Sequence, residues 1–506
     1  MFSNLILGLH IAIEPVNLFL IAGGTFLGIL VGAMPGMHAS TVIVLLTPIT
    51  LFLHSIPAFL FSVAIYCGEL FGGSITAILF RIPGTSAAIA TTFDGYEMTK
   101  RGKAGEALNA AIYSSAIGGL LSVFALIMIV PFLAKIAIGF GPTEFFSLAI
   151  MGLSVISGLA SKSLLKGTIM ALWGLLIATV GMDNMVGVER LTFNLLSLRM
   201  GISFVIVLLG ILPLAQVFKA ITECFRGETK EKRILRKITT QIKIPPFWSA
   251  INSLFKYRIT LLKSSLIGLI IGILPGAGGT IASFLSYGEA VRSSKYPEKF
   301  GTGMVEGVIA PEAANNASSG GAMVPMLTLG IPGSETTAIL LGLLVLHGLR
   351  PGPMLLIEAP DLVYSCFIGM IIANIFIIIM GVSMSKLFIR LLQLPNYFIY
   401  PGILLLCTIA AFNLRNSWSD VWMLFIFGII GYFMEKYEWP VAPLVLGMVL
   451  GNLLEDSFRR ALLIYNGDFF IFFKLPISAI LLTIAFMFYL APFIRTMKKR
   501  LNKKNA

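Results

Sequence analysis

The sequence predicts an all-α polytopic transmembrane helical bundle of about eleven to thirteen spans, with two internal repeats and broken or re-entrant helices. Three observations carry this expectation. Of 506 residues, 57% are hydrophobic and only 12% charged, against roughly 25% charged in an ordinary soluble domain. Long apolar runs recur, at 201–218, 362–381, 421–433 and 477–490 among others. One Gly/Pro signature appears in each half of the chain.

The apolar runs are continuous rather than alternating, which argues for helices and against an outer-membrane barrel. Lipid enforces that choice, because every backbone N–H and C=O must find its partner inside the segment. Residues 1–14 lack a basic start and a small-residue cleavage site, so no removable signal peptide is expected. The net charge is +13, and it is concentrated. Residues 219–263 hold eleven Lys/Arg against three Glu, and 495–504 hold six Lys/Arg and no acid. Basic clusters beside apolar helices face the cytoplasm, where anionic lipid is a nearer partner than nucleic acid. The expected organisation is a first transmembrane repeat at 1–218 and a basic cytoplasmic linker at 219–260. A second repeat with extra helices follows at 261–494, then a basic cytoplasmic tail at 495–506.

The repeat is read from Gly28-x-x-x-Gly32-x-x-Pro35-Gly36 and Gly268-x-x-x-Gly272-x-x-Pro275-Gly276, offset by 240 residues. Gly72-Gly73 before Ile82-Pro83-Gly84 then aligns with Gly320-Gly321 before Ile331-Pro332-Gly333 if one residue is inserted. Loop charges set the relative orientation. Residues 54–57 carry no Lys or Arg, while 292–299 carry Arg292, Lys295 and Lys299. The bias reverses after the second motif, with Lys100, Arg101 and Lys103 against Arg350 alone. Opposite bias at equivalent loops suggests inverted repeats.

Proline removes an N–H and glycine frees the backbone, so Pro-Gly inside an apolar run breaks a helix. Broken backbone at membrane depth survives where it is buried or lines a wet cavity. Restarted helix N-termini suit a carboxylate, and free carbonyls suit Na⁺. Small hydroxyl residues follow each break: Ser40 and Thr41, Thr85 and Ser86, Thr280 and Ser283, then Ser334, Thr336 and Thr337. They are read either as helix caps or as substrate ligands. The polar stretch 306–321 is read either as a solvated loop or as a cavity-lining segment. Its Asn315 and Asn316 offer both donors and acceptors. The candidate substrate ligands are Ser40, Thr41, Thr85, Ser86, Thr280, Asn315, Asn316, Ser334 and Thr336. Asn315 and the backbone at Gly36 and Gly276 are candidate Na⁺ ligands. The glycines upstream of each break are assigned to close helix packing. Glu69 and Arg81 lie within apolar stretches, and they either pair or place Arg81 at the membrane boundary.

No Walker lysine loop and no metal-ligand spacing among His10, His38, His54 and His347 is present. An enzyme is therefore not expected, and no cofactor is called beyond Na⁺ or H⁺ as coupling ion. Cys67, Cys224, Cys366 and Cys407 are scattered and read as small apolar side chains.

Three long stretches resemble the large membrane subunit of the tripartite tricarboxylate transporter family. They are Gly272 through Glu289, Phe300 through Asn316 and Leu329 through Ser334. Gly72 through Leu79, Ile82-Pro83-Gly84-Thr85, Asp94-Gly95-Tyr96 and His347 through Pro353 extend the likeness, which spans roughly 18–450. The resemblance implies a permease in the cell inner (cytoplasmic) membrane. It also implies two partners, a small four-helix membrane subunit and a periplasmic or lipid-anchored binding protein. The implied substrates are citrate and other carboxylates, taken up with Na⁺ or protons. Met37-His38 departs from the small pair more usual after the first Pro-Gly, which bears on ligand choice. An anion channel, or a carboxylate permease acting without partners, is the alternative.

Overall fold

The computed structural model describes residues 2–34, 37–137, 139–159, 163–183, 185–225, 254–274, 278–391, 396–487 and 489. Most of the basic linker (226–253), the tail 495–506, and Gly36 and Gly276 lie outside the described residues.

The first half contains α1 (Phe2–Ala12), α2 (Pro15–Gly32), α3 (Ala39–Thr50), α4 (Ser55–Phe80), α5 (Ile89–Lys100) and α6 (Ala104–Ala137). A 3₁₀ turn, Ser86–Ala88, precedes α5. Then come α7 (Pro142–Leu159) and α8 (Leu164–Ala178). A two-stranded antiparallel hairpin follows, β1 (Gly181–Met182) with β2 (Glu189–Arg190). The short α9 (Leu196–Arg199), α10 (Phe204–Leu209) and α11 (Ala215–Phe225) come next, the last two joined through a π turn at Gly210–Leu214. The second half contains α12 (Arg258–Ile273), α13 (Gly278–Ser293), α14 (Glu306–Leu329), α15 (Glu335–Leu346), the short α16 (Leu355–Glu358) and α17 (Pro360–Leu391). Last come α18 (Asn396–Arg415), α19 (Trp418–Lys436), α20 (Val441–Ile464), the short α21 (Ile471–Lys474) and α22 (Pro476–Met487).

This is an all-α helical bundle with a membrane protein's distribution of apolar side chains. Six described helices are long and apolar enough to cross a bilayer, and six shorter apolar helices accompany them. The expected eleven to thirteen spans are not all met by length, for two physical reasons. The interruptions leave α3 and α15 with 12 residues each, about 18 Å of helix against a ~30 Å hydrocarbon core. The other reason is α14, which is long enough but rich in polar and small residues. It is buried along almost its whole length, so protein rather than lipid is its solvent. Large apolar residues such as Phe52, Met128 and Trp422 face outward instead, where lipid tails satisfy them.

Two buried helices, α4 and α14, organise the centre. α2 packs on α4, and α12 packs on α14. The glycines allow backbone contact: side chains added at Gly28 and Gly32 would strike the carbonyls of Ile65 and Glu69 in α4. Gly268 and Gly272 stand in the same relation to Ala314 and Ser318 of α14. The packing assignment for these glycines is what the structure shows. α6 packs against α14, and α17 packs against α4, so each half closes over the other's central helix. Away from this centre, α20 packs on α7 and α8, and α19 packs on α10 and α11.

α4 and α14 also end alike. Arg81 and Gly330 take left-handed conformations at φ 59° and 70°. Ile82 N–H then reaches Thr76 O, and Ile331 N–H reaches Pro325 O, closing each helix with a bond over six residues. These pairs are offset by 249, as are the Pro-Gly motifs that follow. Gly72 rests on the Ile29 backbone and Gly321 on that of Leu269.

Candidate functional site

The interruptions meet one another. In the first half, Gly84 N–H donates to Gly73 O of α4 at 3.2 Å. A side chain at 84 would strike the carbonyl of Gly32, where α2 ends. In the second half, a side chain at 333 would meet Ala322 of α14 and the carbonyl of Gly272, where α12 ends. The halves are then joined crosswise. Ser86 Oγ lies 2.7 Å from Thr280 Oγ1 at the start of α13. On the other side α15 packs on α3, and the Tyr66 hydroxyl of α4 lies 3.4 Å from Ser334 Oγ. The described residues that flank the four interruptions thus contact one another in turn, in a ring.

Ser40 and Thr41 occupy the first turn of α3 and are almost fully buried, as is Thr85 before the 3₁₀ turn. The hydroxyl oxygens of all three are buried with no hydrogen-bond partner. They do not cap: neither α3 nor the turn has a side-chain cap. Ser334 does cap. Its Oγ accepts from Thr337 N–H at 3.2 Å, while Ser334 N–H donates to Thr337 Oγ1 at 2.8 Å. That reciprocal pair is a capping box with Thr in the second role. Ser283 donates back to Gly279 O within its own helix. Thr336 is buried in the first turn of α15. Asn316 donates at 3.4 Å to Glu312 O, one turn back.

Asn315 is fully buried, and its Nδ2 donates to Leu70 O of α4 at 2.9 Å. That bond fixes the amide orientation, since a flipped amide would set two acceptors face to face. Its Oδ1 is left without a partner and points where a Gly279 side chain would sit, close to Ala87. An unfilled buried acceptor costs about 1–3 kcal/mol. The atom on offer is an acceptor, so it suits a cation or a ligand hydroxyl rather than a carboxylate.

Four acids stand near this centre, each held differently. Glu69 of α4 lies 3.5 Å from His38 Nδ1. Arg81 does not pair with Glu69; it is exposed and lies 5.9 Å from the Tyr96 ring. Asp94 of α5 is fully buried. It accepts from the N–H groups of Gly301, Gly303 and Met304 at 2.8–3.0 Å, and from Tyr287 Oη at 2.9 Å. It thereby ties α5 to the loop that leads into α14. Glu306 opens α14 and accepts from Thr260 and Ser294. Glu312, fully buried on the same helix, accepts from Thr91 and from Ser115 Oγ at 2.9 Å.

Sequence reasoning gave no role to Asp94, Thr91 or Glu312. The available signal was the polarity of 306–321, but a one-dimensional reading left a loop open. The structure excludes that loop: 306–321 is buried helix. Cys67, Cys366 and Cys407 are buried free thiols. Among the described residues no three His, Cys, Asp or Glu stand together as a metal site. The Gly36 and Gly276 carbonyls proposed for Na⁺ lie outside the described residues.

Comparison with known proteins bears on what such a ring does. The profile of the "Tripartite tricarboxylate transporter TctA family" matches residues 18–446. An uncharacterized 52.8 kDa protein in the TAR-I ttuC' 3' region of Agrobacterium vitis is 36% identical over 482 residues, covering 95% of this chain and 94% of that protein. An uncharacterized protein in the TAR-II ttuC' 3' region of the same organism is 38% identical over 215 residues, covering 42% of this chain and 89% of its own length. No solved structure matches the chain. A match across most of the sequence, in a helical bundle built around paired helix interruptions, places this multi-pass membrane protein as a transport component: it belongs to the tripartite tricarboxylate transporter TctA family.

Proposed function

We propose that the chain is the large permease subunit of a tripartite, ion-gradient-driven secondary transporter. It imports citrate-like tricarboxylates or other small carboxylates across the inner (cytoplasmic) membrane. Its partners are a small four-helix membrane subunit and a periplasmic or lipid-anchored binding protein. The observation that carries this reading is the meeting of the interruptions, with the partnerless buried hydroxyl of Thr85 beside the junction where Ser86 meets Thr280.

Donors are what a carboxylate needs. The α13 N-terminus, with Thr280, meets Ser86 and Thr85 on the far side of one junction, and each restarted helix adds free N–H groups and a partial positive charge. Asn315 Oδ1, next to Gly279, accepts from a substrate hydroxyl or coordinates a cation. The opposite junction, between α3 and α15, carries Glu335 and the His38–Glu69 pair, so it is the poorer anion site.

The recurring contacts support an internal duplication. α2 on α4 corresponds to α12 on α14, and the helix ends of α4 and α14 match at a constant offset. With the loop-charge reversal, we take the repeats as inverted, so that alternating access arises by moving one assembly past the other.

The test is uptake of labelled citrate by cells carrying the complete transport system. The reading expects saturable uptake that follows an imposed ion gradient and disappears when this chain or the binding protein is deleted. Non-saturating flux, independent of the gradient, would identify a channel. Uptake that survives loss of the binding protein would identify a permease acting alone.

A further inference from the structure

We propose that Glu312 is the proton-carrying group of this transporter, loaded and unloaded as the carboxylate crosses. The proposal rests on the transport reading above and names its coupling ion as H⁺ at one side chain.

Glu312 is fully buried, two turns into α14. Among the described residues no Lys, Arg or His forms an ion pair with it; its side-chain partners are the hydroxyls of Thr91 and Ser115. An isolated carboxylate in such surroundings is costly unless it takes up a proton or a cation. The chemistry of the partners selects the proton. A hydroxyl both donates and accepts. Thr91 and Ser115 can donate to the ionised group, and either can turn to accept from the protonated one. The pocket therefore satisfies both states by rotating hydroxyls, with no backbone movement.

The other buried acids lack this property. Asp94, from α5, is held by three backbone N–H groups that cannot turn to accept a hydrogen bond. Glu306 also meets two hydroxyls, but it lies in the first turn of α14, at the end that the 301–304 loop leads into. Glu69 on α4 has His38 beside it. The charged groups on the remaining packed elements are engaged elsewhere or distant. Lys263 of α12 and Glu289 of α13 face each other at 3.9 Å. Glu106 in the first turn of α6 lies toward Lys103, and Glu335 heads α15. None of these bears on Glu312.

The site is also wired to the ring. Thr91 lies five residues after Ser86, which bonds Thr280, and Asn315 lies three residues after Glu312 on the same helix. A ligand that separates Ser86 from Thr280 would pull the α5 hydroxyl away from Glu312 and change its preference for the proton.

The test has two readouts. Infrared difference spectroscopy on the purified protein, stepped in pH, should show one carboxylic-acid carbonyl band that titrates and is absent in Glu312→Gln. In proteoliposomes with the complete system, Glu312→Gln should still exchange labelled citrate for internal citrate. It should also lose at least a tenfold stimulation of net uptake by an imposed pH gradient. Ser115→Ala should keep net uptake but displace its pH profile. A Glu312→Gln protein with the wild-type infrared band, or with wild-type stimulation by the pH gradient, overturns the proposal. If wild-type protein moves no citrate while the band persists, the transport reading has failed and the proton site has not.

Discussion

The ring exists because helices touch backbone to backbone, and Gly272→Ala with Gly32→Ala tests that directly. A methyl group at 272 would lie 2.9 Å from Ser318 Cα and 3.0 Å from its carbonyl carbon, and closer still to its oxygen. At 32 the same atoms of Glu69 stand at 2.9 Å. Comfortable carbon–carbon contact is about 3.5–4.0 Å. The helices must therefore part by roughly 0.5–1 Å, since no side chain can rotate away. Overpacking of this kind costs about 1–3 kcal/mol, offset by roughly 0.5–1 kcal/mol for removing a helical glycine. A net loss of up to about 2.5 kcal/mol is expected from each. Two glycines serve as controls, because a methyl at Gly23 of α2 or Gly288 of α13 meets nothing within 4 Å. Gly23→Ala and Gly288→Ala should leave the protein as stable or slightly more so. Thermal unfolding of the four variants in one detergent measures the contrast, and citrate uptake should fall at least tenfold only in the first pair. Equal tolerance at all four sites would refute the close-approach argument.

Three further outcomes follow. Gly279→Ala places its methyl against Asn315 Oδ1 and Ser318 Oγ, not backbone; uptake should fall at least tenfold with unfolding temperature nearly unchanged. Asp94→Asn removes the charge that three N–H groups and Tyr287 address, and should cost about 1.5–3 kcal/mol by thermal unfolding. Asp183, in the loop of the β1–β2 hairpin, accepts from Met185 N–H and from Arg459 of α20 at 2.7 Å, which holds its carboxyl down from 3.8 to about 2. Because the folded value is depressed, that tether is in force above about pH 4 and is lost as the pH falls through about 2. Limited proteolysis of 185–195 should accelerate on acidification toward pH 2, and in Asp183→Asn already at neutral pH.

The bundle, the interruptions and the packing role of the upstream glycines were all legible, because each follows from composition or from a short motif with a local physical meaning. What escaped was decided by contacts between distant segments. Asp94 meets 301–304, and Thr91 meets Glu312, across more than two hundred residues. No local pattern announces such pairs. The stretch 306–321 was ambiguous because polarity alone does not separate water from buried helix; α6, α12 and α13 packed around it decide the matter. Among the hydroxyls, Ser334 proved a helix cap while Ser40, Thr41 and Thr85 did not, a distinction set by where each neighbouring N–H points.

Substrate protection of single cysteines tests the central claim most directly. Ser86→Cys and Thr280→Cys, with Cys224 replaced by Ser, would be labelled by a small aqueous thiol reagent in membranes holding the complete system. Labelling should slow severalfold at saturating citrate, while Ser3→Cys, on the exposed α1, reacts unchanged. Equal labelling rates at positions 86 and 280 with and without citrate, under conditions of active uptake, would contradict a carboxylate site at this junction.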